Sequence, residues 1–399
     1  MAVTVLTLGT ESHIRAPDGV YLPPHTWKWL NQWWGLFHRV RYASRALPPG
    51  PPPEGWQKAP SHVEAAELYP VEPLPSFWQR RRLVRRRADK LLAGVGLVHI
   101  RGPFYEAYWT WQHAPQLPMV LEYHGDWVQT LAVQASESWL KRLTRPLRQR
   151  WVRQACQRLS RRALGIVAIG PDLADKYVPA AKPHLVTTNN TMLEQEYRRR
   201  ESVELKSPPR LLVVGELVRH KGWQVLLAAV QQLRATIGRM EVAFVGDGPD
   251  RSLIEQSARA TGLDGVLLPG RRAHGPALYA EYQRADAFVF PSLAGEGVPR
   301  VVHEAMALGC PVIATSNGSV GWQLRDGAGL LVPAGDPAAL AAAIGRVLTD
   351  AALRRRLSDQ GFARALEHTY EKQVAAIARF VRAVVPAGLL APARSSQES

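Results

Sequence analysis

Apolar and polar positions along the chain fall into two patterns. Short apolar runs recur: Val3 to Leu8, Val95 to Ile100, Met119 to Glu122, Gly165 to Ile169 and Leu185 to Thr188, then Arg210 to Val214, Val242 to Val245, Val266 to Pro269, Ala287 to Phe290 and Pro311 to Thr315, with a last one at Gly329. Most close on glycine or proline, and runs of this kind predict buried strands. Between them lie stretches with helical spacing. In Trp139 to Ala163, Leu140, Leu143, Leu147, Trp151, Ala155 and Leu159 share one face, with Arg142, Arg145, Arg148, Arg153, Arg158 and Arg162 on the others. Pro146 predicts a kink or a division there. Phe77 to Leu92 surrounds Phe77, Trp78, Leu83, Val84, Leu91 and Leu92 with six arginines and one lysine. His25 to Arg45 carries Trp27, Trp29, Trp33, Trp34, Leu36 and Phe37 nearly all round a helix, so it is expected to be buried against protein or lipid. Leu47 to Pro53 is a rigid, non-helical break, and Ala59 to Pro75 reads as a loop or short helix.

In the second half, strand and helix alternate, which predicts an α/β class with a parallel sheet covered on both faces. A chain of 399 residues suffices for two domains. Glu194 to Pro209, charged and ending in Ser-Pro-Pro, is the expected linker. No apolar run approaches a membrane span, and the N-terminus lacks the charge-then-apolar order of a signal peptide. Cys156 and Cys310 give neither a disulfide framework nor a metal spacing, which fits a reducing cytoplasm.

The formal charge of +16 is unevenly placed. Residues 1 to 200 hold 28 Lys+Arg against 15 Asp+Glu and eleven of the thirteen tryptophans, while the remainder holds 22 against 19. Arginine mixed with Trp favours an anionic surface. The two basic helices therefore admit two readings. Either their apolar stripes pack on a sheet and the arginines are solvated, or the helices form an interfacial surface that grips anionic lipid.

The chemistry concentrates between Ala287 and Gly335. A strand ends in Pro291-Ser292, a Gly-bearing loop runs to Val298, and Pro299 opens a helical pattern to about Leu308, with Gly309 as its stop. N–H groups at a helix start carry partial positive charge and suit a phosphate. Glu296 in the loop and Glu304 on the helix frame that start. The pattern fits a nucleotide sugar: diphosphate at the helix start, ribose hydroxyls on Glu304, donor sugar near Glu296. On spacing alone it also fits an ordinary strand–loop–helix connection with two solvated acids.

The run Glu-Gly-Val-Pro-Arg-Val-Val-His-Glu-Ala-Met-Ala at 296–307 resembles the E-x7-E signature of retaining GT-B type glycosyltransferases, the large family-four group (glycosyl transferases group 1), with Glu296 and Glu304 on its two glutamates. Gly309, Pro311-Val312 and Gly-Leu-Leu-Val-Pro at 329–333 agree with it in order, and the likeness extends from Arg210 to Asp350. It implies two Rossmann-like doubly wound domains facing across a cleft: an acceptor domain at 1–205, a nucleotide-sugar domain at 206–370, a helix at 371–385 returning to the first domain and a disordered tail at 386–399. It also implies roles. Lys221, in the loop from Gly215 to Gly222, neutralises the donor diphosphate together with the helix start at Gly297, Val298 and Arg300. Arg219 is a substitute basic contact, because Glu216 stands where many members carry arginine. Glu304 holds the ribose, and Glu296 holds sugar hydroxyls and steadies the transition state. His124, in Tyr-His-Gly-Asp-Trp, approaches the donor sugar and diphosphate, although a plain His-Gly-Asp turn is the alternative. Gly9 takes the place of a glycine-rich loop, Arg271 lines the base pocket, and Asn190 stands where the family often has glycine.

The expected activity is therefore transfer of a sugar from a UDP- or GDP-linked donor, with retention and no other cofactor. The absence of any Asp-x-Asp triplet disfavours an obligatory metal. The basic, Trp-rich half suggests a lipid-linked or membrane-surface acceptor in bacterial glycan or glycolipid assembly, with the protein in the cytoplasm or peripheral on the inner face of the plasma membrane. A soluble transferase acting on a small sugar or metabolite is the second reading. A catalytically dead, nucleic-acid-binding fold is the third, and the intact Glu296, Glu304 and Lys221 and the lack of a nucleic-acid motif speak against it.

Overall fold

The computed structural model describes residues 4–9, 12–70, 76–102, 104–126, 128, 139–293 and 297–392. The chain forms two compact units, residues 1–191 with 373–399, and residues 192–372.

The first unit contains β1 (Thr4–Leu8), β2 (Ile14–Ala16), β3 (Gly19–Leu22), β4 (Arg39–Ala46), β5 (Gln57–Lys58), β6 (Val63–Pro70), β7 (Val95–Arg101), β8 (Met119–Tyr123), β9 (Gly165–Ile169) and β10 (His184–Thr187). Seven of these form one parallel sheet in the order β10-β9-β8-β7-β1-β4-β6, while β2, β3 and β5 make a small antiparallel sheet. Trp29, Leu30, Trp33 and Trp34 of helix Pro24–Trp34 share a core with Val40, Leu97, Val120 and Val167 of the sheet and with Ile377 and Val381 of helix Tyr370–Val384.

Several elements here differ from the expected ones. The helix expected from His25 to Arg45 ends at Trp34, and the chain enters β4 at Arg39. Arg39-Val40-Arg41-Tyr42 alternates with period two, and Val40 and Tyr42 are fully buried, so the strand wins once the tryptophan stripe ends. β6 replaces the expected loop or short helix because pairing with β4 overrides the weak strand preference of its Ala and Glu residues. Helix Trp139–Arg162 runs undivided through Pro146. The described part of the tail is ordered on this unit: Leu390 is buried, and the Ala391 N–H donates to the Leu36 carbonyl at 2.9 Å. Residues 393–399 lie outside the described residues.

The second unit contains β11 (Arg210–Val214), β12 (Glu241–Val245), β13 (Val266–Gly270), β14 (Ala287–Phe290), β15 (Val312–Thr315) and β16 (Leu330–Val332), all parallel, in the order β13-β12-β11-β14-β15-β16. Alternate strand residues serve two helix layers. Leu211, Val213, Phe244 and Val289 join one core cluster, and Leu212, Ala243, Phe288 and Phe290 join the other. The 194–209 stretch packs along this unit: the Arg198 N–H donates to the Ala307 carbonyl at 3.0 Å, and the Asp286 carboxylate accepts from the Lys206 and Arg210 N–H groups at 3.1 and 2.7 Å.

Each parallel sheet reverses direction once. From β11 the chain builds outward through β12 and β13, then returns to place β14 on the other side. In the first unit the same reversal separates β1 from β7. Loops leaving such a pair of strands diverge and leave a crevice at the carboxyl edge of the sheet, where open α/β sheets take ligands.

Candidate functional site

In the second unit the reversal falls between the loop after β11, which carries Gly215 and Lys221, and the loop after β14, which leads to Glu304. The two loops are pinned together. The His220 carbonyl accepts from the Leu293 N–H at 2.8 Å and from Ser292 Oγ at 3.4 Å. Gly222 is left-handed (φ 75°), and a Cβ there would lie 1.9 Å from the Pro291 carbonyl oxygen. Only glycine permits this approach. Thr315 Oγ1, at the end of β15, donates to the Ser292 carbonyl at 2.6 Å. Gly215, Lys221, Trp223, Phe290 and Pro291 consequently line one small cavity, with Lys221 Nζ 5.8 Å from the Phe290 ring centre.

The second loop ends at helix Arg300–Ala307. Val302 and His303 donate to the Pro299 carbonyl at 3.2 and 3.4 Å, and Gln323 Nε2 donates to the same oxygen at 3.2 Å, which fixes the helix start. Val298 is buried, Gly297 half-buried and Arg300 exposed. Glu304 is almost fully buried; its Oε2 accepts from the Tyr282 hydroxyl at 2.8 Å, and its Oε1 lies 3.5 Å from His274 Nε2. Burial, then the Glu304 charge, raises the Tyr282 hydroxyl well above its ordinary pKa, so Tyr282 stays a donor. A carboxylate has about four lone-pair positions, so Glu304 keeps acceptor capacity for hydroxyls beside the half-exposed His274. His303 points the other way, bonded to the Tyr197 hydroxyl at 2.6 Å; burial, then the charges of His368 and Arg364, push its pKa down to about 3.

Gly215, Lys221, Gly297, Val298, Arg300 and Glu304 therefore belong to two loops and one helix around a single reversal point. Arg219 is exposed in the same turn as Lys221. Arg271 is exposed past β13, the edge strand, about 10 Å or two strand spacings from β11. Glu296 lies outside the described residues.

Gly9 and His124 belong to the first unit, at the carboxyl ends of β1 and β8. The Gly9 N–H donates to the Ala43 carbonyl at 3.1 Å, and a Cβ on Gly9 would stand 2.6 Å from the Tyr42 hydroxyl oxygen. Burial, and then the nearby Arg101 charge, lower the His124 pKa well below the ordinary imidazole value, so the ring is neutral. The turn after it is held by Asp126, which accepts from the Tyr177 hydroxyl at 2.6 Å and from Lys176 Nζ at 3.0 Å. Both cysteines are buried free thiols.

Sequence reasoning missed Tyr282 and His274, the partners of Glu304, and Arg101. Arg101 ends β7 at the reversal point of the first sheet, with its guanidinium 3.9 Å from the Trp29 ring centre and 3.8 Å from the fully buried Glu122 carboxylate. Its position immediately after the apolar run Val95 to Ile100 was the available signal. A cavity of about 720 Å³ lies elsewhere, between β4, β6 and helix Phe77–Leu92. Its arginines are engaged: Arg41 donates to the Leu91 and Ala93 carbonyls at 2.7 and 2.9 Å, and Arg87 donates to the Leu68 carbonyl at 2.9 Å.

Residues 208–350 match the model of the family described as glycosyl transferases group 1. The 2-deoxystreptamine N-acetyl-D-glucosaminyltransferase of Streptomyces fradiae is 31% identical over 307 residues, covering 73% of this chain and 68% of that protein. The lipopolysaccharide core biosynthesis glycosyltransferase LpsD of Rhizobium meliloti is 35% identical over 163 residues, 40% of this chain. The chain spans under half the length of that relative, 45%. Sucrose-phosphate synthase from Thermosynechococcus elongatus superposes with a TM-score of 0.71 at 21% identity, over 96% of this chain and 98% of that one. Anabaena Alr3699/HepE, solved with UDP-glucose, gives 0.67 at 18% identity, over 96% and 100%. These structural likenesses establish the GT-B architecture of two Rossmann-like parallel-sheet units. With the fold, the family model and a relative of this identity in agreement, the chain belongs to the glycosyl transferases group 1 family.

Proposed function

We propose that the protein transfers a sugar from a UDP- or GDP-linked donor to a lipid-linked or membrane-surface acceptor in bacterial glycan or glycolipid assembly, with retention at the anomeric carbon and without a metal. The observation that carries this reading is the pinned pair of loops at the reversal of the second sheet: the loop of Lys221 is bonded to the loop after Ala287–Phe290, whose chain continues into helix Arg300–Ala307 and Glu304, which keeps acceptor capacity beside its Tyr282 bond. A diphosphate seated there takes positive charge from Lys221 and from the helix N–H groups, and this stabilises it as a leaving group. Ribose hydroxyls donate to Glu304. The bond from the anomeric carbon to the phosphate oxygen breaks, the acceptor oxygen bonds to that carbon on the same face, and the acceptor proton passes to the leaving phosphate. Glu296 holds the donor sugar. Relatives named for lipopolysaccharide core and teichuronic acid biosynthesis support the cell-surface acceptor. The relative matched over 73% of this chain is named for 2-deoxystreptamine, which supports a small soluble acceptor as the second reading.

Donor hydrolysis and transfer by wild type and Glu304→Gln test the proposal. The expected outcome is a turnover loss of about a hundredfold with a raised KM for the donor. Unchanged turnover in the variant removes the ribose assignment, and an inverted product anomer removes retention.

A further inference from the structure

Helix Trp139–Arg162 has 24 residues and is about 36 Å long, whereas the five-residue strands β8 and β9 span about 17 Å. The sheet cannot cover the whole helix. Val152, Ala155 and Leu159 are buried, but Leu143 and Leu147, expected from their spacing to face the sheet, are 71% and 70% exposed. Helix Phe77–Leu92 shows a similar departure at its first turn, where Trp78 is 70% and Phe77 38% exposed.

A chain of ring contacts joins the two helices. The Phe77 ring meets Trp78, Tyr105 and Trp109 at 5.3, 5.2 and 5.0 Å, and Tyr105 stacks on Trp151 at 4.7 Å. Trp151 lies one turn beyond Leu147 on the same helical face. The rim is cationic. Trp78, Arg81, Arg82 and Arg85 follow i, i+3, i+4, i+7 along one exposed stripe, and Arg150 continues the stripe of Leu143 and Leu147. Among the described residues these four arginines have no carboxylate partner, whereas Arg80 and Arg87 of the same helix pair with Glu106 and Glu67. The patch also has a defined place in the fold. In a parallel sheet every crossover helix starts at the carboxyl edge, so the first turns bearing Phe77, Trp78, Leu143 and Leu147 lie at the edge that carries Gly9, Arg101 and His124.

We infer that this patch is the face by which the first unit sits on a bilayer containing anionic phospholipid. Trp78, Leu143 and Leu147 enter the headgroup–acyl boundary, and Arg81, Arg82, Arg85 and Arg150 meet the phosphates. An anionic headgroup layer offers apolar chains to the centre and phosphates to the cationic rim. The orientation brings the carboxyl edge of the first sheet to the membrane, where a lipid-linked acceptor presents its hydroxyl. The inference deepens the membrane-acceptor reading and rests on it for its purpose, but adhesion is read without donor or acceptor.

The test is co-sedimentation of the full chain with phosphatidylcholine vesicles, with and without phosphatidylglycerol, at low and high salt, and sedimentation velocity without lipid. Wild type is expected to pellet only with the anionic vesicles and to be released by salt. Leu143→Asp with Leu147→Asp, and separately Arg81→Glu with Arg85→Glu, are expected to lower the bound fraction about tenfold or more, with unchanged melting temperature and unchanged donor hydrolysis off the vesicles. No pelleting by wild type, or equal pelleting by all three proteins, overturns the inference. So does a lipid-free dimer that Leu147→Asp dissolves, which assigns the patch to a second copy of the chain. Vesicle binding with no donor hydrolysis leaves the adhesion standing and counts against the transfer reading alone.

Discussion

The two units share a sheet plan and differ in what fills the crevice at its reversal. In the second unit the site is made largely by backbone: Gly222 against the Pro291 carbonyl, the His220 carbonyl against the Leu293 N–H, and a helix start. In the first unit the corresponding edge is made by side chains: Tyr42 under Gly9, Arg101 on Trp29, His124, and the exposed Trp78, Leu143 and Leu147. A backbone site tolerates few residue types and leaves a readable motif. A side-chain site can be rebuilt around another acceptor and leaves little local trace. Under the proposed function, the backbone-built crevice of the second unit suits a constant group, the diphosphate, and the side-chain edge of the first unit suits a variable acceptor.

The sharpest break of this contrast is Gly222→Ala against Gly9→Ala. At Gly222 the new methyl meets fixed backbone in a left-handed conformation, so about 3 kcal/mol or more of stability should go, together with nucleotide binding. At Gly9 it meets a side-chain ring, and a loss of about 1–3 kcal/mol is expected. Urea denaturation of both variants checks the order, and equal losses erase the distinction.

Acid probes the second unit through His303. The unfolded imidazole takes its proton near 6.5, the folded one near 3. Between those values the unfolded chain binds more protons, so stability falls as pH drops through that window, by about 1.4 kcal/mol per pH unit at most. His303→Gln should flatten the slope of melting temperature against pH. Tyr282→Phe should have a comparable or smaller effect, about 1–2 kcal/mol, because Glu304 loses one donor, and it should weaken nucleotide binding with it. The smallest effect belongs to the first unit: Arg81→Glu should move stability by no more than about 0.5 kcal/mol while changing vesicle binding.

Legibility followed sequence pattern rather than unit. The strands β1, β7 to β10 and β11 to β15 were readable because each is a short apolar run, most of them closed by glycine, proline or a polar turn, and the positions of Lys221 and Glu304 because they sit at fixed offsets from strand ends. β4 was hidden behind the tryptophan stripe of helix Pro24–Trp34, and β6 is written in Ala and Glu. Tyr282 and His274 reach Glu304 across 22 and 30 residues, so no local pattern marks them. The exposure of Leu143 and Leu147 depends on how short the strands beneath are, which their own periodicity does not record.

Calorimetric titration of nucleoside diphosphate and nucleoside monophosphate into wild type and Lys221→Met tests the donor crevice most directly. The variant should lose about tenfold or more of its diphosphate affinity, keep its monophosphate affinity and melt as the wild type does. Diphosphate affinity unchanged by Lys221→Met would place the donor's phosphates somewhere other than the reversal of the second sheet.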